Sequence, residues 1–161
     1  MMSSECPHGH QALGGGLLPV NLAAGATFDP EALKEGYEAC GRQLKSGHVE
    51  LALMSALDML RDPRWGRSEE CYSEDPYLSS RMAAAAVTGM HSEGVSCVAK
   101  HFRGPGETTG GVNASAARIG EQELREIHFP AMQACCDAGV DGVMAAYNEI
   151  DGVYCHSNPW L

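Results

Sequence analysis

The chain has no apolar run approaching the roughly 18 residues of a membrane span, and no signal-peptide pattern opens it. It is also short of positive charge. Eleven Lys and Arg stand against 21 Asp and Glu, a net charge of −10, so it lacks the basic footprint that nucleic acid demands. No internal repeat, Pro/Ser linker or low-complexity tail interrupts it. Seven cysteines are scattered without a zinc-like pair of Cys-x-x-Cys motifs. Cys40 and Cys135 fall at apolar-periodic helix positions, so the thiols read as small buried hydrophobes in a reducing compartment, and a cytoplasmic location is favoured.

What is present is a repeating α/β pattern. Val20 to Ala26 reads as a buried strand, and Asp29-Pro30 then supplies an N-cap with proline at the first helical position. Leu33, Tyr37, Cys40 and Leu44 recur at helical spacing, which predicts a helix to about Ser46, stopped by Gly47. Val49 to Met54 is the next predicted strand. Asp75-Pro76 repeats the helix-start signature, with Leu78, Met82, Ala86 and Met90 on one face and Gly94 at the end. Val95 to Ala99 is a third strand, a helix over 121–138 buries Leu124, Ile127, Ala131 and Cys135, and residues 142–146 form a fourth strand. The order β-α-β-α-β-α-β requires parallel crossovers, and the strands are apolar throughout, as when both faces are covered. Residues 1–161 are thus expected to be one domain of parallel β/α units. A complete (β/α)8 barrel takes about 250 residues, so the expectation is an α/β architecture equivalent to about half of a TIM-type barrel.

Chemistry-bearing residues gather where such folds keep their sites, at the carboxyl ends of the strands. A loop punctuated by Pro and Gly, Arg61-Asp-Pro-Arg-Trp-Gly-Arg67, is followed by Ser-Glu-Asp-Pro at 73–76, and Lys100-His101-Phe102 ends the third strand. Together with Glu5-Cys-Pro-His-Gly-His10, Met144-Ala-Ala-Tyr-Asn148 and Asn158-Pro-Trp-Leu161, these segments closely resemble the catalytic barrel of glycoside hydrolase family 3, the β-glucosidase and β-xylosidase group. The resemblance runs nearly end to end.

The resemblance implies exo-acting hydrolysis of a terminal β-linked glucose or xylose with retention of configuration, through two carboxyl groups and without metal or cofactor. It implies that Arg67, Lys100 and His101 contact hydroxyls of the terminal sugar. It further implies that Glu5 stands where the family carries a sugar-binding acidic residue, often Asp, and that Tyr147 lines the sugar site. The family's nucleophile is an aspartate in the unit after Asn-Pro-Trp-Leu, and its acid/base usually lies in a second domain. No catalytic residue is therefore assigned within the 161 residues, and the chain alone is expected to be inactive. Many of the family's β-glucosidases have an arginine near 111–112, where this chain has Gly111 and Val112.

The residues alone allow plainer readings. Arg67 can be read simply as the partner of a nearby carboxylate such as Glu69 or Glu74, Trp65 as a structural plug, and Tyr147 as a cap on the core. Glu5, Cys6, His8 and His10 crowd four ligand types into six residues, with no recognised zinc spacing. The glycine-rich stretch 104–111 does not open a helix, which disfavours a phosphate loop. A half-barrel would leave strand edges uncovered, so a complementary barrel half or a second copy of the chain is an expected partner. Two further readings remain: a non-catalytic carbohydrate-binding or assembly module, and an open flavodoxin-like α/β protein.

Overall fold

The computed structural model describes residues 1–161. Four parallel strands form one sheet in the order β1-β2-β3-β4: Ser3–Glu5, Leu51–Ser55, Ser96–Phe102 and Gly142–Ala145. Each neighbouring pair is joined through helix. After β1 come the short α1 (Asn21–Gly25) and α2 (Pro30–Ser46), and after β2 comes α3 (Pro76–Ser92). Between β3 and β4 lie α4 (Glu121–Glu123), a π-helical turn (Leu124–His128) and α5 (Phe129–Asp137). Sequential order without a reversal is the wall of a barrel. It offers no switch point of the kind at which doubly wound sheets hold ligands.

Both long helices start as their sequence dictates. Asp29 accepts the Ala32 N–H at 3.1 Å and Asp75 accepts the Leu78 N–H at 2.6 Å, each followed by proline at the first helical position. Leu33, Tyr37, Cys40 and Leu44 are all buried, as are Met82, Ala86 and Met90. These faces pack against one side of the sheet, where Ala52, Met54, Cys97 and Ala99 are fully buried. On the other side Leu51, Leu53, Ser96 and Val98 remain half-exposed. The sheet is therefore a wall covered by helices on its outside and open on its inside.

Two sequence expectations are corrected. Val20–Ala26 is not a strand: its central residues form α1, and the first strand is Ser3–Glu5, paired in register with Leu51–Leu53. The helix expected over 121–138 is broken by the π-helical turn. Pro130 is the physical reason, since a proline ring in a regular helix clashes with the carbonyl four residues back, and a wider turn relieves it. The displaced register buries His128 fully and leaves Ile127 half-exposed.

Beyond β4, Asp151 and Gly152 both take positive φ, 48° and 87°, and close the hairpin between β5 (Glu149–Ile150) and β6 (Val153–Tyr154). This is the left-handed pair that an Asp-Gly turn favours. At the other Asp-Gly pair, Asp141 lies in the bend just before β4 and Gly142 is the strand's first residue.

Candidate sugar-binding site

The parallel register places the first site residues. Glu5, Leu53, Val98 and Gly142 lie opposite one another, and Ser55, Lys100 and Met144 form the next layer toward the carboxyl end. Side chains alternate along a strand, so Glu5 and Lys100 emerge on the same open face in adjacent layers. Lys100 Nζ donates to Glu5 Oε2 at 2.5 Å; the lysine side chain is 7% exposed and the glutamate 47%. The carboxylate thus shields a nearly buried ammonium while keeping part of itself in solvent.

Arg67 arrives from the loop after β2. Gly66 makes this possible by adopting φ 81°, which turns the chain sharply between Trp65 and Arg67. Trp65 is buried, donates its indole N–H to Asn113 Oδ1 at 2.9 Å, and lies beneath the Arg67 guanidinium, 5.3 Å from its ring centre. It is a plug under the arginine, not a stacking platform for a sugar. Arg67 forms a bidentate pair with Glu70 at 2.6 and 2.8 Å, so neither Glu69 nor Glu74 is its partner. Ser55 Oγ donates to the same carboxylate at 2.7 Å, and Asn21 Nδ2 donates to the carbonyls of Ser55 and Glu70. Burial pushes the Glu70 carboxyl up, but the Arg67 and Ser55 hydrogen bonds outweigh it and hold the group below its usual range. The same pairing raises the arginine.

His101 follows Lys100 across a cis peptide bond. Its Nδ1 is 2.8 Å from Oδ2 of Asp58, which is 3% exposed, and its backbone N–H donates to the other Asp58 oxygen at 3.3 Å. Asp58 therefore fixes both the ring and the backbone beneath it, leaving Nε2 as the ring's free hydrogen-bonding atom. Arg103 lies fully buried nearby, donating to the Leu57 carbonyl; burial lowers its pKa to about 10, which the charge of Asp58 partly offsets.

These groups line two adjoining recesses. The larger, about 290 Å³, has a mostly polar wall, bounded by Glu5, His8, Gln11, Arg67, Glu69, Glu70 and Lys100, with Pro7 as its one apolar side chain. The smaller notch is bounded by Arg67, His101, Asn148 and Tyr147. Arg67 belongs to both. All five residues singled out from the sequence thus meet on one rim, although Tyr147 lies two residues past the end of β4 and is 73% exposed. The residues that sequence reasoning missed are the partners: Asp58, Glu70, Ser55 and Asn21. For Glu70 a signal existed, since the three-residue spacing from Arg67 suits a short helical turn.

The loop after β3 closes over Trp65. Gly111 is buried at φ 70°, and a Cβ there would lie 2.7–2.8 Å from the backbone of Arg64 and Trp65. No arginine fits at 111, whereas Val112 is 62% exposed.

The glycosyl hydrolase family 3 N terminal domain matches residues 1–161. The chain belongs to glycosyl hydrolase family 3. Among its relatives, a β-glucosidase of Rhizobium radiobacter is 39% identical over 144 residues, covering 89% of this chain and 18% of the relative. A β-xylosidase of Formosa agariphila is 37% identical over 153 residues, covering 89% of this chain and 21% of the relative. Among solved structures, the exo-1,3/1,4-β-glucanase of a Pseudoalteromonas species superposes with a TM-score of 0.92 at 33% identity over 96% of this chain and 21% of that one. A mutant β-glucosidase of Listeria innocua in complex with laminaribiose gives a TM-score of 0.92 at 30% identity over 99% and 23%. This family 3 chain therefore spans about a fifth of the length of the relatives it matches.

Proposed function

We propose that this chain supplies the sugar-gripping part of an exo-acting, retaining β-glycosidase for terminal β-linked glucose or xylose. The observation that carries the reading is the convergence of Glu5, Arg67, Lys100, His101 and Tyr147 on two recesses sharing Arg67. A wall made mostly of fixed cations, carboxylates and an imidazole suits the hydroxyls of a sugar. Donors held in place by Glu70, Asp58 and Glu5 lose little freedom when the sugar arrives. The names of the relatives, β-glucosidase and β-xylosidase, support the same substrate class.

We further propose that these 161 residues bind sugar without turning it over. Retention needs two facing carboxyl groups about 5–5.5 Å apart. Of the carboxylates lining the larger recess, Glu5 and Glu70 are ion-paired, and only Glu69 has no cationic partner.

Titration of the isotopically labelled chain with methyl β-glucoside and methyl β-xyloside tests the binding role by NMR. Resonances of Lys100, His101 and Tyr147 are expected to shift, and Arg67→Ala is expected to weaken binding by roughly ten- to a hundredfold, as loss of a charge-assisted hydrogen bond implies. Absence of shifts at these residues would remove the site assignment. Hydrolysis of an aryl β-glucoside by the chain, abolished by Arg67→Ala, would overturn the claim of binding without turnover.

A further inference from the structure

At the opposite end of the sheet from the sugar recess, three side chains of metal-ligating type converge from separate elements. His91 comes from the last turn of α3, Cys97 from the second residue of β3, and Asp141 from the bend before β4. Their potential ligand atoms, one each of nitrogen, sulfur and oxygen, all lie within 4.8 Å of one another. We propose that His91, Cys97 and Asp141 form a three-ligand site for a divalent cation of borderline softness, zinc being the representative case.

The geometry is preorganised. The Cys97 N–H donates to Asp141 Oδ2 at 2.7 Å, and the Asp141 N–H donates back to the Cys97 carbonyl at 3.2 Å. This reciprocal pair fixes the thiol-bearing residue against the carboxylate. His91 Nε2 lies 2.8 Å from the same oxygen. The Cys97 thiol has no strong partner of its own, only a 3.9 Å contact to the Val95 carbonyl. A tetrahedral zinc with bonds of about 2.0–2.3 Å holds its ligand atoms about 3.3–3.8 Å apart. The three atoms therefore need to adjust by only about 0.5–1 Å around an ion of this size.

Access and charge fit the same reading. Cys97 is fully buried, while the side chains of His91 and Asp141 are 30% and 42% exposed, so an ion can enter from solvent and keep water in its fourth position. A sulfur, an imidazole nitrogen and a carboxylate oxygen select zinc-like ions over magnesium or calcium, which take oxygen ligands alone. On binding, the Cys97 S–H proton passes to solvent as the sulfur–metal bond forms, the Nε2–H proton that His91 shares with Asp141 leaves Nε2 while Nδ1 carries the ring's remaining proton, and the freed Nε2 and the carboxylate oxygen become metal ligands. The ion would cross-link α3, β3 and β4 at the base of the sheet, so its role is structural and independent of the sugar site.

Cobalt(II) is the probe, because a cysteine thiolate on cobalt produces a near-ultraviolet charge-transfer band and a tetrahedral site produces visible d–d bands. One saturable equivalent carrying both signals is expected, displaced by zinc. Cys97→Ser should abolish the charge-transfer band, and His91→Ala should weaken binding by roughly tenfold or more. Cys136→Ser, which alters the exposed thiol, should leave both signals unchanged. His91→Ala changes a half-exposed position and keeps the test readable should Cys97→Ser fail to fold. Zinc is expected to raise the melting temperature of the natural chain but not of His91→Ala. The proposal is overturned by lack of saturable binding, by a charge-transfer band that survives Cys97→Ser, by an unchanged cobalt affinity in His91→Ala, or by loss of the band in Cys136→Ser.

Discussion

Arg67 carries two duties that pull in different directions. It borders both recesses, where the proposed binding role asks for free N–H groups, yet Glu70 already takes two of its donors. The pair works as a positioning device: the carboxylate takes Nε and Nη2 and holds the guanidinium over Trp65, which leaves Nη1 without a partner within the chain. Glu70→Gln would keep the shape and lose the charge. At about pH 7 it is expected to cost about 1–2 kcal/mol, the lower part of the range for charge-assisted hydrogen bonds, because the pair is partly screened by solvent. The folded carboxyl titrates below its ordinary value of 4.5. Its contribution is therefore full above that value and disappears as pH falls through the lower, folded one. Denaturant unfolding at about pH 7 and about pH 3 should show the gap between natural chain and variant closing in acid.

At the level of elements, the sheet's two faces make opposite demands on neighbouring residues. Ala99 is fully buried against the helices, whereas Val98 faces the open side and is half-exposed. Ala99→Lys should cost several kcal/mol, about 3–5, or abolish folding, through an unpaired buried charge. Val98→Lys, one residue away, should cost less than about 1 kcal/mol. Thermal and urea unfolding of the two variants checks the contrast. Both long helices could be read from Asp-Pro starts and regular apolar spacing, because those signals are local. Val20–Ala26 could not, since a short apolar run without period fits a strand and a buried helix equally. Nor could Ser3–Glu5, which has no apolar pattern and is a strand only because Leu51–Leu53 pairs with it. The site divides in the same way. Its cations and imidazole sit in motifs, while Asp58 acquires its role through His101, 43 positions away, and Glu70, in the short helical turn after Gly66, through Ser55 as well as the nearby Arg67.

Across the whole molecule, one network ties the loop after β2, the loop after β3 and the broken helix together. Arg61 reaches both Glu107 and Glu123, and Glu107 accepts from His128 at 2.9 Å. Burial lowers the His128 pKa, a shift that the Glu107 hydrogen bond only partly reverses. In the unfolded chain an ordinary imidazole takes up a proton near pH 6.5, while the buried ring resists until lower pH. His128 therefore favours the folded state fully above about pH 6.5 and progressively less as pH falls through its depressed folded value. His128→Gln is expected to flatten that part of the stability profile, measured by denaturant midpoints between about pH 7 and about pH 5. The recess around Glu5 has a different kind of long reach. Glu5 and the lysine that neutralises it are 95 positions apart. At the usual pace of synthesis, about 5–20 residues per second, Glu5 is made about 5–20 s before Lys100 exists. Throughout that interval the carboxylate exists without the ammonium it pairs with in the folded chain, so this corner of the recess closes only after the third strand has been delivered.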